Sequence, residues 1–259
     1  MTSEWQSAGL VGYKSDNLDR YKRNFLRQAV CEFRFPTLLD LGRPKPPDSF
    51  AKALRKEYPF LDLVQEMQFG IGGEPGGSVN KHVFRSEKRK WTVSIKENAL
   101  SVETSAYTEY RELRSRTLSA LAAAYKVIDT DFFTRVGLRY INVVQTDDEQ
   151  DPIRHGWIND QLVAPLRSGL FSGVSEFSGR LALASEDGGC LLQHSLRFKP
   201  RETMEENPEV VPGFTIDIDA FRNGVKYDEA GDVLDGMHTQ AFNVFDWTLG
   251  EPAREYLAK

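Results

Sequence analysis

The run from Phe133 to Val144, FTRVGLRYINVV, limits the possible folds of this chain more than any other stretch. Side chains of a strand alternate between its two faces with a period of two. Val136, Leu138, Tyr140 and Val144 therefore share one side, and Arg135 and Arg139 share the other. A strand with one apolar and one charged side suits an antiparallel sheet that is covered on one face only. The run sits near the middle of the 259 residues, after a long helical pattern and before a second set of strands. It is predicted to be a central strand that opens the second half of the molecule.

The neighbouring patterns extend this reading. Residues 1–22 are polar and aperiodic, and a loose leader is expected there. From Asn24 to Phe35 a strand is predicted, with Ala29, Cys31, Phe33 and Phe35 on one face and Val30, Glu32 and Arg34 on the other. Pro36 ends it, RPKPP is a stiff connection, and Asp48 is the expected N-cap of a short helix. Strands follow at Leu61–Ile71, His82–Arg85, Trp91–Lys96 and Leu100–Thr104, with a flexible GGEPGG loop after the first, forming an antiparallel meander. Tyr107–Ile128 is a long amphipathic helix whose buried stripe is Tyr110, Leu113, Thr117, Leu121, Ala124 and Ile128.

After the pivot strand come an acidic loop, TDDEQD, and a short helix around Trp157–Leu166. Strands are predicted at Ser175–Ser185, Cys190–Phe198 and Gly213–Ala220, the last two separated by a long polar loop. A second long helix covers Tyr227–Leu249, with Leu234, Met237, Ala241, Phe245 and Leu249 inward. Gly250 can end that helix, and Pro252 suits the first turn of a short last one. Each half thus reads strand, short helix, several strands, long helix. The expected fold is α+β: two such repeats, 23–128 and 129–259, packed as one globular unit with a broad antiparallel sheet and the long helices on one face. By analogy the order is TATA-binding-protein-like or helix-grip.

Composition decides the class. Hydrophobic residues make up 40% and charged residues 27%, as in soluble globular chains. No apolar run approaches the roughly 18 to 20 residues of a membrane span, and no signal-peptide core is visible, so a cytoplasmic location is expected. Cys31 and Cys190 are far apart and outside any Cys-x-x-Cys pair, which predicts free buried thiols. Through Ile128 there are 21 Lys/Arg against 15 Asp/Glu, and beyond it 12 against 23. Opposite signs of this kind attract one half to the other or favour head-to-tail contact between molecules, unless the charges are merely solvated.

The segments AVCEFRFP, GLRYIN, TIDIDAF and AREYLAK occur in that order across almost the whole chain. On these segments the sequence resembles a bacterial family of about this length that is sporadically distributed and has no assigned activity. The resemblance implies a compact cytoplasmic protein, with defence or conflict between mobile elements as one setting for such a distribution. It carries over no catalytic residues.

Signatures of chemistry are sparse. No Gly-Lys-Ser/Thr follows the glycines after Phe69, and Pro75 stands where a dinucleotide loop needs its third glycine. Gly173-Val174-Ser175-Glu176-Phe177 starts as a nucleophile elbow but ends in Phe. His82, His155, His194 and His238 lack a His-x-x-x-His partner, and Cys190 and His194 are ~13 Å apart on an extended strand. In FTIDID, Asp217 and Asp219 point to one face, ~6.6 Å apart. They could share Mg²⁺ in a nucleotide or phosphoester enzyme, or pair with Arg135, Arg139 or Arg197 across the sheet. Lys81, Arg85, Lys88, Arg89 and Lys90 beside Trp91 form a basic hairpin that could hold single-stranded nucleic acid, or be a solvated turn. The leading expectation is a non-enzymatic binding or adaptor protein without cofactor. Its charged sheet face, Glu32, Arg34, Arg135, Arg139, Asp217 and Asp219, would hold a protein partner or polar ligand, or a second copy in a homo-oligomer.

Overall fold

The computed structural model describes residues 6–69, 75–146, 151–200 and 210–259. Most of the GGEPGG, TDDEQD and PRETMEENPEVVP loops lies outside the described residues. The strands are β1 (Leu26–Arg34), β2 (Phe60–Phe69), β3 (Pro75–Arg85), β4 (Trp91–Lys96), β5 (Ala99–Thr104), β6 (Phe132–Val144), β7 (Ser178–Ser185), β8 (Gly188–Pro200) and β9 (Val210–Lys226). The helices are α1 (Asp48–Leu54), α2 (Tyr110–Ile128), α3 (Asp160–Arg167), α4 (Ala230–Thr248) and α5 (Glu251–Ala258). The fold is α+β. Its nine strands are hydrogen-bonded in the order β2-β3-β4-β5-β1-β6-β9-β8-β7 as a largely antiparallel sheet on which helices pack.

The chain forms two compact units, and they are not the two sequence halves. One comprises Met1–Arg27, Arg139–Ala220 and Gly236–Lys259, and the other Gln28–Leu138 and Phe221–Asp235. The strands β6 and β9 and the helix α4 each run through both.

In the unit of 28–138 and 221–235 the register explains the core. Leu61, Phe84, Val93, Val102 and Cys31 stand in one row across β2 to β1, and Leu63, His82, Ile95, Leu100 and Phe33 stand in the next. All are buried except the two β2 leucines. Directly opposed side chains share a face, so the alternation read in each strand becomes one continuous apolar surface. The buried stripe of α2 covers it, with Leu113, Thr117, Leu121, Ala124 and Ile128 enclosed as expected. Cys31 is buried beside Thr117, and burial pushes its thiol up to about 12. The row on the other side reads Asp62, Val83, Ser94, Ser101 and Glu32, with the two serine hydroxyls 2.7 Å apart. In β6, Val136 and Leu138 are buried as predicted, but so is Phe133, packed edge-on against Phe33. The period-two pattern therefore shifts between 133 and 136.

In the other unit Phe214, Ile216, Ile218 and Ala220 of β9 are fully buried, while Thr215, Asp217 and Asp219 point the other way and are part-exposed. Of α4, Met237, Ala241, Val244 and Thr248 are buried, and the predicted Phe245 is only partly so. The expected loose leader is corrected here. Tyr13 and Tyr21 donate to the Asp246 carboxylate, the former at 2.7 Å. The Ser15 amide donates to Asn243 at 3.0 Å, and Gln240 donates to the Ser7 carbonyl at 2.7 Å. Residues 7–21 are thus tied along the polar flank of α4. A polar flank normally faces water, but here tyrosine hydroxyls and backbone amides of the leader satisfy it.

Candidate partner-binding face

The charged side chains selected from the sequence lie on the sides of their strands opposite the buried rows, and they pair. In the unit of 28–138 and 221–235, Arg34 donates to Glu32 at 2.6 Å, and the Arg135 guanidinium approaches the same carboxylate at 3.9 Å. Arg135 also lies 4.8 Å above the Phe221 ring. Gly137 makes room for it, since a Cβ there would come 2.6 Å from the Arg135 guanidinium. Cation–π contact and the neighbouring carboxylate hold this arginine down, whereas Arg34 is 56% exposed.

In the other unit Arg139 grips Asp217 through two parallel bonds, Nε to Oδ1 at 2.8 Å and Nη2 to Oδ2 at 2.6 Å. The fork follows from β6 and β9 being neighbours in the sheet, which brings the two side chains within reach of one another. The hydrogen bonds to Asp217 raise the Arg139 pKa above its ordinary value, burial opposes them, and the charges of Asp217 and Asp219 add to the rise. Arg139 stays 48% exposed and Asp217 15%. Of the arginines proposed as partners for the aspartates, Arg139 pairs with Asp217, and the side chain of Arg197 lies outside the described residues. Both oxygens of Asp217 accept from a guanidinium, which neutralises the carboxylate that Mg²⁺ would need. Among the described residues no group of three or more His, Cys, Asp and Glu gathers at metal-binding spacing.

The basic hairpin divides in two. Lys81 and Lys96 clamp Glu66 at 2.9 and 2.8 Å, and Arg85 pairs with Asp62. Burial pulls the Glu66 pKa upward, but the bonds from Lys96 and Lys81 prevail and hold it below the ordinary carboxylate range. Lys88, Arg89 and Lys90 remain exposed on the turn, and Arg89, in the left-handed region, lies 5.1 Å above the Phe60 ring. Trp91 is buried, with the Arg116 guanidinium 4.7 Å over its ring, so the indole is not presented for stacking on a base. An open groove of about 800 Å³ beside it is lined by Lys88, Lys90 and Arg111 but also by Glu57, Glu87 and Glu109, and it favours neither sign of ligand.

Several residues with special environments escaped the sequence reading. Asp246 is 1% exposed and accepts from Tyr21 and Tyr13, with Arg254 at 3.5 Å. Burial alone would raise its pKa, but these bonds and the arginine charge hold it below the usual range. At the β7–β8 turn, Ser7 and Ser185 donate to Asp187, whose pKa is lowered to about 2 by those bonds against the opposing effect of burial. The Asp246 cluster left no local signature, because its two tyrosines are separated from the aspartate by more than 220 positions in the chain.

No protein-family model matches the chain, and no curated protein matches it at a significant level.

Proposed function

We propose that the protein is a non-enzymatic binding or adaptor protein that holds a protein partner or a polar ligand on the charged side of its strands. The Arg139–Asp217 fork carries this reading. It fixes a half-exposed guanidinium on a strand whose opposite face is fully buried. Two of the five N–H donors of that guanidinium go to Asp217. A rigid cation of this kind suits recognition, because little side-chain freedom is lost when a partner carboxylate approaches. The Glu32–Arg34 pair supplies a second charged feature of the same type. A cytoplasmic accessory role in bacterial defence or conflict fits the sporadically distributed family that the sequence resembles, and it belongs to the proposal.

Exchanging the charges, Arg139→Glu with Asp217→Arg, keeps an internal pair while inverting what a partner meets. The doubly substituted protein should melt as a single cooperative transition but recover none of the partner that the unaltered protein brings out of its native cells. Equal recovery by both would remove this face from consideration. Titration calorimetry with Mg²⁺ and nucleotides should give no heat, and turnover would restore the phosphoester-enzyme reading.

A further inference from the structure

Among the described residues the sheet ends in β2 on one side and β7 on the other, and each has a hydrogen-bonded neighbour along one edge only. Open edges of this kind are usually blunted by brevity, proline or lysine. Here β2 runs for ten residues, and its core-side leucines, Leu61 and Leu63, are 46% and 45% exposed. They continue the buried rows of Phe84 and His82 by one strand. At the other edge Leu181 stands opposite the buried Leu192, and Leu183 stands opposite the buried Cys190, with Leu181 51% exposed. Both edges are therefore apolar rows awaiting one further strand.

We propose that copies of this chain associate head to tail, β2 of one molecule pairing antiparallel with β7 of the next. Setting Leu61 opposite Leu183 and Leu63 opposite Leu181 of the second copy joins leucine to leucine on the core side. The same register places Phe60 and Val64 opposite Ala184 and Arg180 on the other side.

Charge selects this pairing over its alternatives. The turn after β3 carries Lys88, Arg89 and Lys90 against Glu87 alone, and Arg89 sits over Phe60 at the start of β2. Asp62 and Glu66 are already matched by their own cations. In the proposed register the acidic end of β7, Glu186 and Asp187, arrives beside that basic turn. A parallel pairing would carry that acidic end away from the turn. Pairing β2 with a second β2 would set one basic edge against another. The unit containing β7 holds 14 Lys/Arg against 20 Asp/Glu, and the unit containing β2 holds 19 against 18, so the wider fields agree in sign with the local ones.

The test uses sedimentation velocity on the full chain. The unaltered protein should grow with concentration beyond a dimer, and growth should weaken with salt. Leu63→Lys blocks β2 and Leu181→Lys blocks β7. Each alone should stay monomeric, having lost about tenfold or more in association constant. Mixed, they should form a one-to-one dimer that grows no further, because each supplies the edge the other lacks. Dimers of Leu181→Lys alone would mean that β2 pairs with itself and would overturn the proposal. So would a monomeric unaltered protein, or unchanged assembly by both variants. Should either variant lose its cooperative melt, Leu61→Lys and Ala184→Lys test the same two edges at exposed positions.

Discussion

Asp246 holds two tyrosines of the N-terminal segment and faces Arg254 while almost wholly buried. Replacing it with Asn keeps the shape but removes the charge and one acceptor for the hydroxyl groups. Asp246→Asn should cost about 2–4 kcal/mol in urea unfolding, and Tyr13→Phe about 1 kcal/mol, since only one hydrogen bond goes. His194 presents the opposite case. Its imidazole lies between Phe177 and Phe214, Nδ1 is buried without a hydrogen bond, and burial lowers its pKa. His82 is 1% exposed and shifted the same way, chiefly by burial. A depressed histidine pKa means that the unfolded chain takes up the proton first. Stability is then full above the unfolded value, about 6.5, and falls as pH drops from there toward the lower folded value. His194→Phe should flatten that decline between about pH 7 and about pH 5 in denaturant midpoints. An unchanged slope would assign the effect to His82 or elsewhere.

At the scale of elements, the helix α4 is polar on the flank that a solvent-exposed helix would turn to water, yet Gln240, Asn243 and Asp246 on it are buried. The segment before β1 supplies their partners, so helix and leader are stable together rather than separately. Where α4 gives way to α5, the Gly250 amide donates to the Trp157 carbonyl at 2.8 Å, and a Cβ on Gly250 would lie 1.9 Å from the Gly156 carbonyl oxygen. At β7 a Cβ on Gly179 would lie 2.3 Å from the His194 Nε2. The obstacle is backbone in the first case and a side chain in the second. Gly250→Ala should therefore cost about 3 kcal/mol and Gly179→Ala about 1 kcal/mol, measured by thermal melting. The reverse order would show that the 156–157 turn yields more readily than the aromatic stack around His194.

For the molecule as a whole, the Arg139–Asp217 fork tests how much a half-exposed pair contributes to the sheet. A double-mutant cycle with alanine at both positions should give a coupling of about 1 kcal/mol or less, weakened by salt, because solvent screens the guanidinium. Its main consequence would then lie in recognition rather than stability. The amino-acid sequence determined which side of β1, β4, β5 and β9 is apolar and where α2 begins and ends within a few residues, because those patterns depend only on strand and helix periods. It likewise placed Arg139 and Asp217 on outward positions and offered Arg139 as one of three arginines that could pair with the aspartate. Strand order, the choice of Arg139 among those three, the seating of residues 7–21 on α4 and the exposure of Leu61, Leu63 and Leu181 were decided by the tertiary structure alone. Each depends on which distant segments become neighbours. A period of two or 3.6 fixes the direction of a side chain, but not what stands opposite it.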